Sequence, residues 1–256
     1  MALEIDISRK AFSLADGGER LVFDSFSLRV PEGSVLALLG PSGCGKSSLL
    51  RMIAGIDVDF SGALTGRPRR LGMAFQEPRL LPWRNVFDNL RLVAPDLSAE
   101  ALDRLLENFE LRGHGGDFPG QLSLGLARRA ALARAFAVAP QLLLLDEPFA
   151  SLDRALHQRL RDLLVARIHA DRTTTIIATH DVDDALLLAD EVVLLGGSPA
   201  RIVARLTIET PRGERGARLR ELRQFARKLQ APTSGESDNL AAETTNRNDS
   251  REQEND

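Results

Sequence analysis

Nine consecutive residues, Gly40, Pro41, Ser42, Gly43, Cys44, Gly45, Lys46, Ser47 and Ser48, follow the apolar run 34–39 and fit the pattern G-x-x-x-x-G-K-[ST]. Glycines let such a turn close without β-carbons in the way, and successive backbone N–H groups then converge on a phosphate at the start of a helix. Lys46 is placed to reach the β- and γ-phosphates of a nucleotide, and the Ser47 hydroxyl to ligand magnesium. The plain use of the same pattern is a glycine-rich turn into an ordinary helix. Three later groups argue against that use.

The run Leu142-Leu143-Leu144-Leu145-Asp146-Glu147 has four leucines to bury a strand and two acids where an open α/β sheet presents its ligands, beyond the carboxyl ends of its strands. Asp146 is the candidate to support magnesium from behind its direct ligands or through water, and Glu147 the candidate to orient or polarise an attacking water. Two acids at a strand end are often only solubilising; the upstream phosphate loop changes their meaning. His180 closes the β-branched stretch 173–179, where it can donate to a γ-phosphate or hold Glu147 in place. Gln76 ends another apolar segment, and its neutral amide can reach magnesium and the water. Alone, neither residue would be informative.

The elements that must position these groups alternate. Residues 3–7 and 22–30 read as half-exposed strands around the turn Asp16-Gly17-Gly18, with Phe12 just before it, either a ring to stack on a purine or a core residue at a strand end. Val35–Leu39 reads as a buried strand and 46–54 as the helix the loop opens. Residues 56–70, with Gly62, Gly66 and Pro68, suggest a short hairpin before a strand at 71–75. Between 86 and 139 helical spacing takes over: Leu102, Leu105, Leu106 and Phe109 form one stripe, and an Ala-rich helix covers 124–137. Strand 141–145, helix 153–169, strand 173–179, helix 182–189 and strand 192–195 follow, with one or two strands in 202–208. Unbroken apolar strands alternating with helices imply a mostly parallel core sheet covered on both faces, with N-terminal antiparallel strands and an inserted helical subdomain.

At 256 residues with 43% apolar content, the chain is long enough for one well-buried α/β core with an inserted subdomain, or for two small domains. The net charge of -3 gives no general reason to expect nucleic acid as a partner. One cysteine excludes an intrachain disulfide and suits a reducing compartment. The first ten residues lack the apolar stretch of a signal peptide, and no apolar run approaches the ~18 residues of a spanning helix. Residues 212–228 carry seven basic and two acidic residues, with Leu219, Leu222, Phe225 and Leu229 on one side of a helix; packing on its own domain is the expectation, with anionic lipid as the alternative. Residues 231–256 have seven acids, two bases and no aromatic residue, and read as a disordered tail. The expected division is therefore a domain over 1–230, holding a helical subdomain at about 86–139 and a variable segment at about 198–230, followed by the tail.

These motifs, in this order, resemble the nucleotide-binding subunit of an ABC transporter, and the segments FQEPRLLPW at 75–83 and SPARIV at 198–203 are similar to the nitrate, sulfonate and taurine importer group. The resemblance covers roughly residues 4–212 and extends to the D-loop Ser151-Leu152-Asp153. It implies an α/β P-loop NTPase that binds ATP with Mg2+ and hydrolyses it. It also implies a head-to-tail dimer of two copies, each ATP enclosed by the phosphate loop of one copy and the signature motif of the other. Further expected partners are an integral membrane permease and, indirectly, an extracytoplasmic solute-binding protein, with the chain peripheral on the cytoplasmic face of the bacterial inner membrane. Phe12 falls on the family's adenine-stacking aromatic, and Trp83 on the groove that takes a helix of the permease; without the family, Trp83 would be a core residue. The signature LSGGQ appears as LSLGL at 122–126. Ser123 and the Gly125 amide remain for the facing γ-phosphate, while Leu124 replaces the first glycine. Its side chain is expected to pack within its own subdomain; the alternative is that it crowds the facing copy.

Overall fold

The computed structural model describes residues 2–150 and 152–211, with 214–216, 219–220 and 223–224 beyond them. The chain opens with two long antiparallel strands, Leu3–Ser13 (β1) and Glu19–Val30 (β2), joined at the expected Asp16-Gly17-Gly18 turn. Both run further than their alternation suggested. Register shifts between Ile7 and Arg9 and between Lys10 and Ala11 interrupt the two-residue period, so the buried series Leu3, Ile5, Ile7 resumes out of phase at Lys10.

Val35–Leu39 (β3) leads into the helix Lys46–Ile53 (α1), and Ser61–Thr65 (β4) then pairs antiparallel with β1. The hairpin expected over 56–70 is thus one strand laid on an existing pair. Gly62 marks close backbone approach rather than a turn: a Cβ there would stand 2.1 Å from the Asp6 carbonyl oxygen. Leu71–Ala74 (β5) precedes the helices Val86–Arg91 (α2), Ala99–Asn108 (α3) and Leu124–Ala137 (α4). Asn85, Ser98 and Ser123 cap them through their side chains, each satisfying an N–H that the first helical turn leaves open.

Leu142–Asp146 (β6), Arg154–Asp171 (α5), Thr174–Thr179 (β7), Val182–Leu188 (α6), Glu191–Gly196 (β8) and Arg201–Thr207 (β9) complete the described elements. The strands form a three-stranded sheet in the order β2-β1-β4 and a six-stranded sheet in the order β5-β6-β7-β3-β8-β9, parallel except for β9. Residues of the central strands alternate between two cores. Leu36, Leu38, Leu142, Leu144, Ile176 and Ala178 meet α1 and the three-stranded sheet, while Ala37, Leu143, Leu145 and Ile177 face a core shared with the inserted helices and α5. Burial on both faces is why these strands read as unbroken apolar runs. The expected α/β class, mostly parallel with an antiparallel N-terminal layer and a helical insertion after β5, is the fold observed.

Of the basic segment, residues 214–216, 219–220 and 223–224 are helical; Arg215 is buried, Leu219 packs on the core that holds the inserted helices, and Arg223 pairs with Asp183. Leu222, Phe225, Leu229, the tail 231–256 and the D-loop Ser151 lie outside the described residues. No described helix is long and apolar enough to cross a membrane.

Candidate functional site

The strand order brings the motifs together. β5, β6, β7 and β3 are consecutive neighbours in one parallel sheet, so Gln76, Asp146 with Glu147, His180 and the Gly40–Ser48 loop all leave the same edge. Gly45 stands at the N-cap of α1 with φ 103° and no side-chain cap, and a Cβ would come 2.9 Å from Val22 Cγ1. Only glycine accepts both the left-handed backbone and the contact, and the first-turn N–H groups stay open toward the loop.

Lys46 is 6% exposed, and its Nζ donates to the Gly40 and Pro41 carbonyls at 2.7 and 3.0 Å. Glu147 Oε1 lies 4.0 Å away. Ser47 Oγ donates to Asp146 Oδ1 at 2.8 Å, which joins the start of α1 to the end of β6. Burial pushes the Asp146 carboxyl above its ordinary range and the Glu147 charge adds to the rise, while the Ser47 bond, Arg51 and Lys46 pull it back. Glu147 adopts φ 48°, a conformation uncommon for a side-chain-bearing residue, and its N–H donates to the Ala178 carbonyl of β7. Its Oε2 lies 3.0 Å from His180 Nδ1.

Phe12, Ser42, Gly43, Gly45, Lys46, Ser47, Ser48, Gln76, Glu147 and His180 line one cavity of about 290 Å3. Gly40 and Pro41 hold Lys46 from behind, Cys44 is buried, and Asp146 reaches the cavity through Ser47. Phe12 is 41% exposed, which decides against its reading as a core residue. Ser123 and Gly125 do not line this cavity. Ser123 caps α4, and Gly125 is buried where a Cβ would meet Leu156 Cδ2 of α5 at 2.4 Å.

Leu124 is half exposed at the first residue of α4, so only part of its side chain can pack as expected, while Leu122 and Leu126 lie against the core. Trp83 is 71% exposed before α2, which decides against its alternative reading as a core residue. Arg20 and Val22 also line the cavity and were missed. Arg20 stands opposite Phe12 across the β1–β2 pair and donates to the Gly43 carbonyl at 3.0 Å. That facing depends on the register shift at Lys10, which no local pattern reveals.

The family model described as ABC transporter matches residues 23–150. Aliphatic sulfonates import ATP-binding protein SsuB 1 of Pseudomonas aeruginosa is 42% identical over 231 residues, covering 84% of this chain and 91% of its own. The chain belongs to the ABC transporter family. Aliphatic sulfonates import ATP-binding protein SsuB 2 of Burkholderia lata is 41% identical over 232 residues, covering 86% of this chain and 83% of its own. A solved "ATP binding subunit of ABC transporter" superposes with a TM-score of 0.71 at 25% identity, covering 90% of this chain and all of that one. The fold also matches the dimeric cassette MJ0796, with TM-score 0.71 at 23% identity over 82% of this chain and all of that one. As an ABC ATPase, this chain binds and hydrolyses ATP.

Among the described residues no three His, Cys, Asp or Glu side chains cluster as a ready-made metal site. The oxygen donors at the cavity include the Ser47 hydroxyl, the Gln76 amide, the Glu147 carboxylate and, bonded to Ser47, the Asp146 carboxylate. A hard cation that arrives with a phosphate suits such a set.

Proposed function

We propose that the chain powers import of an aliphatic sulfonate or a related small solute, such as taurine or nitrate, through a separate membrane permease. It would act as a head-to-tail homodimer on the cytoplasmic face of the bacterial inner membrane, served by an extracytoplasmic solute-binding protein. The observation that carries the ATPase site is the single cavity that joins the phosphate loop to Gln76, Glu147 and His180. The names of the relatives support the solute class.

In this reading the loop amides of Ser42 to Ser48 and Lys46 bind the phosphates, Phe12 stacks on the base, and Ser47, Asp146 and Gln76 hold Mg2+, which supplies charge neutralisation on the phosphates. Glu147, fixed by its backbone bond to Ala178 and by His180, orients the attacking water. His180 couples that carboxylate to the γ-phosphate. Ser123 and the Gly125 amide serve the nucleotide of the facing copy.

Lys46→Ala tests the site. It should lower kcat and weaken Mg-ATP binding by about tenfold or more, the scale of a charge-assisted hydrogen bond; an unchanged steady-state ATPase rate would remove the assignment. The transport reading is tested with the ATPase reconstituted with its permease in vesicles. Hydrolysis should rise when the solute-binding protein carries an alkanesulfonate, and a response to nitrate alone would reassign the solute.

A further inference from the structure

Lys10 is a buried cation to which the nucleotide reading gives no task. It is 2% exposed in β1, and its Nζ donates to Asp57 Oδ1 at 2.8 Å and to the Asp59 carbonyl at 2.6 Å. The same nitrogen lies 4.6 Å from the centroid of the Phe12 ring. The contact spans the register shift between Lys10 and Ala11, so the buried Lys10 and the exposed Phe12 meet where the strand's regular alternation is broken. Phe12 therefore reaches the cavity wall with an ammonium set against its π-system and anchored from the segment that precedes β4.

We propose that Lys10 is a positioning residue for base recognition: it fixes the Phe12 ring in the cavity wall and polarises it, so that a stacked purine binds more tightly. This rests on the reading of Phe12 as the base platform. A cation near an aromatic face is attracted by the ring quadrupole, the more so when desolvated. It also draws π-density toward itself, which lessens repulsion between the ring and an electron-rich base stacked on it. Asp57 and the Asp59 carbonyl hold the ammonium in place, so the ring is fixed against an immobile charge rather than a mobile side chain. A lysine that only cross-linked β1 to residues 57–59 would act on every ligand of the loop alike.

The test is calorimetric binding to the full chain of Mg-ATP, which uses base and phosphates, and of magnesium tripolyphosphate, which uses the phosphate loop alone. Lys10→Met should weaken ATP about three- to tenfold and leave tripolyphosphate within about twofold, the range expected from a partly desolvated cation–π contact. Phe12→Leu should weaken ATP selectively, and adding Lys10→Met to it should change nothing further. Lys10→Gln, which keeps a donor for the Asp59 carbonyl, repeats the comparison if the Met variant does not fold. Equal weakening of both ligands, no weakening of ATP where Phe12→Leu does weaken it, or failure of both Lys10 variants to fold would overturn the proposal and leave Lys10 to the scaffold. A Phe12→Leu variant with an unchanged preference for ATP over tripolyphosphate would instead overturn the base-platform reading beneath it.

Discussion

Leu124→Gly separates two roles for the residue that breaks the signature motif. Leu124 is 50% exposed at the first position of α4, so removing its side chain forfeits about half of a leucine's burial, roughly 1 kcal/mol. No enclosed cavity forms, because solvent already reaches the site, and the extra cost known for interior Leu→Ala changes does not arise. Glycine adds backbone entropy, about 0.5 kcal/mol at a helix end where the full interior penalty is not felt. The sum, about 1 to 1.5 kcal/mol, lowers Tm by about 2 to 6 °C for a domain of this size. In the proposed head-to-tail dimer an exposed isobutyl group between Ser123 and Gly125 would hold the facing γ-phosphate away from the donors assigned to it. Glycine should therefore tighten ATP-dependent association and raise kcat about three- to tenfold. ATPase rate against protein concentration, with thermal unfolding in parallel, measures both effects. Turnover that stays flat or falls at every concentration, together with a stability loss above about 3 kcal/mol, would refute the reasoning and return Leu124 to a packing role.

Glu147→Gln should cut single-turnover phosphate release by about 10² to 10⁴, the usual contribution of a positioned base, while light scattering still records an ATP-dependent dimer; normal turnover would count against the role of Glu147. Asp146→Asn concerns pH. Because burial raises the Asp146 carboxyl, the folded chain keeps that proton at pH values where the unfolded chain has lost it. Stability therefore falls as pH rises from the unfolded value, about 3.9, through the raised folded value, and stays lower above it. Asn removes that penalty and keeps an acceptor for Ser47. Its nucleotide-free Tm should exceed the wild type's at pH 7.5, with the gap closing below about pH 4, while its stabilisation by Mg-ATP should shrink. A lower Tm for the variant at pH 7.5 would show that the Ser47 bond outweighs desolvation.

Most of the architecture was legible because its causes are local. The four leucines before Asp146 have to be buried on both faces, Ser123 and Asp153 announce helix starts, and the glycine pattern of 40–48 has few uses. What escaped depends on backbone geometry that one strand imposes on another. Gly62 carries the same letter as a turn glycine, yet its reason is the Asp6 carbonyl across the pair. Arg20 reached the cavity through a register shift two residues from Phe12. The half exposure of Leu124 was not legible, because its place in a motif does not say how much of a first-turn side chain finds a neighbour. The glycine after it was legible as part of a motif, but not for its contact with Leu156, a residue in a different helix.

The cross-links inside the site bear on how tightly it can hold a nucleotide. Ser47 to Asp146, Lys46 beside Glu147, and Glu147 to His180 join α1, β6 and β7. Lys46 donates to the carbonyls of Gly40 and Pro41, so a phosphate competes with them for it. The exchange runs toward the ligand because a phosphate oxygen accepts a charge-assisted bond that is stronger than one to a neutral carbonyl. Its net worth is the difference between the two, and affinity in such a site stays well below the sum of its visible contacts. Preorganisation would return part of that loss: Glu147 is held by Ala178 and His180 in a conformation it would not choose alone, so in its proposed role the carboxylate needs no ordering when water and phosphate meet.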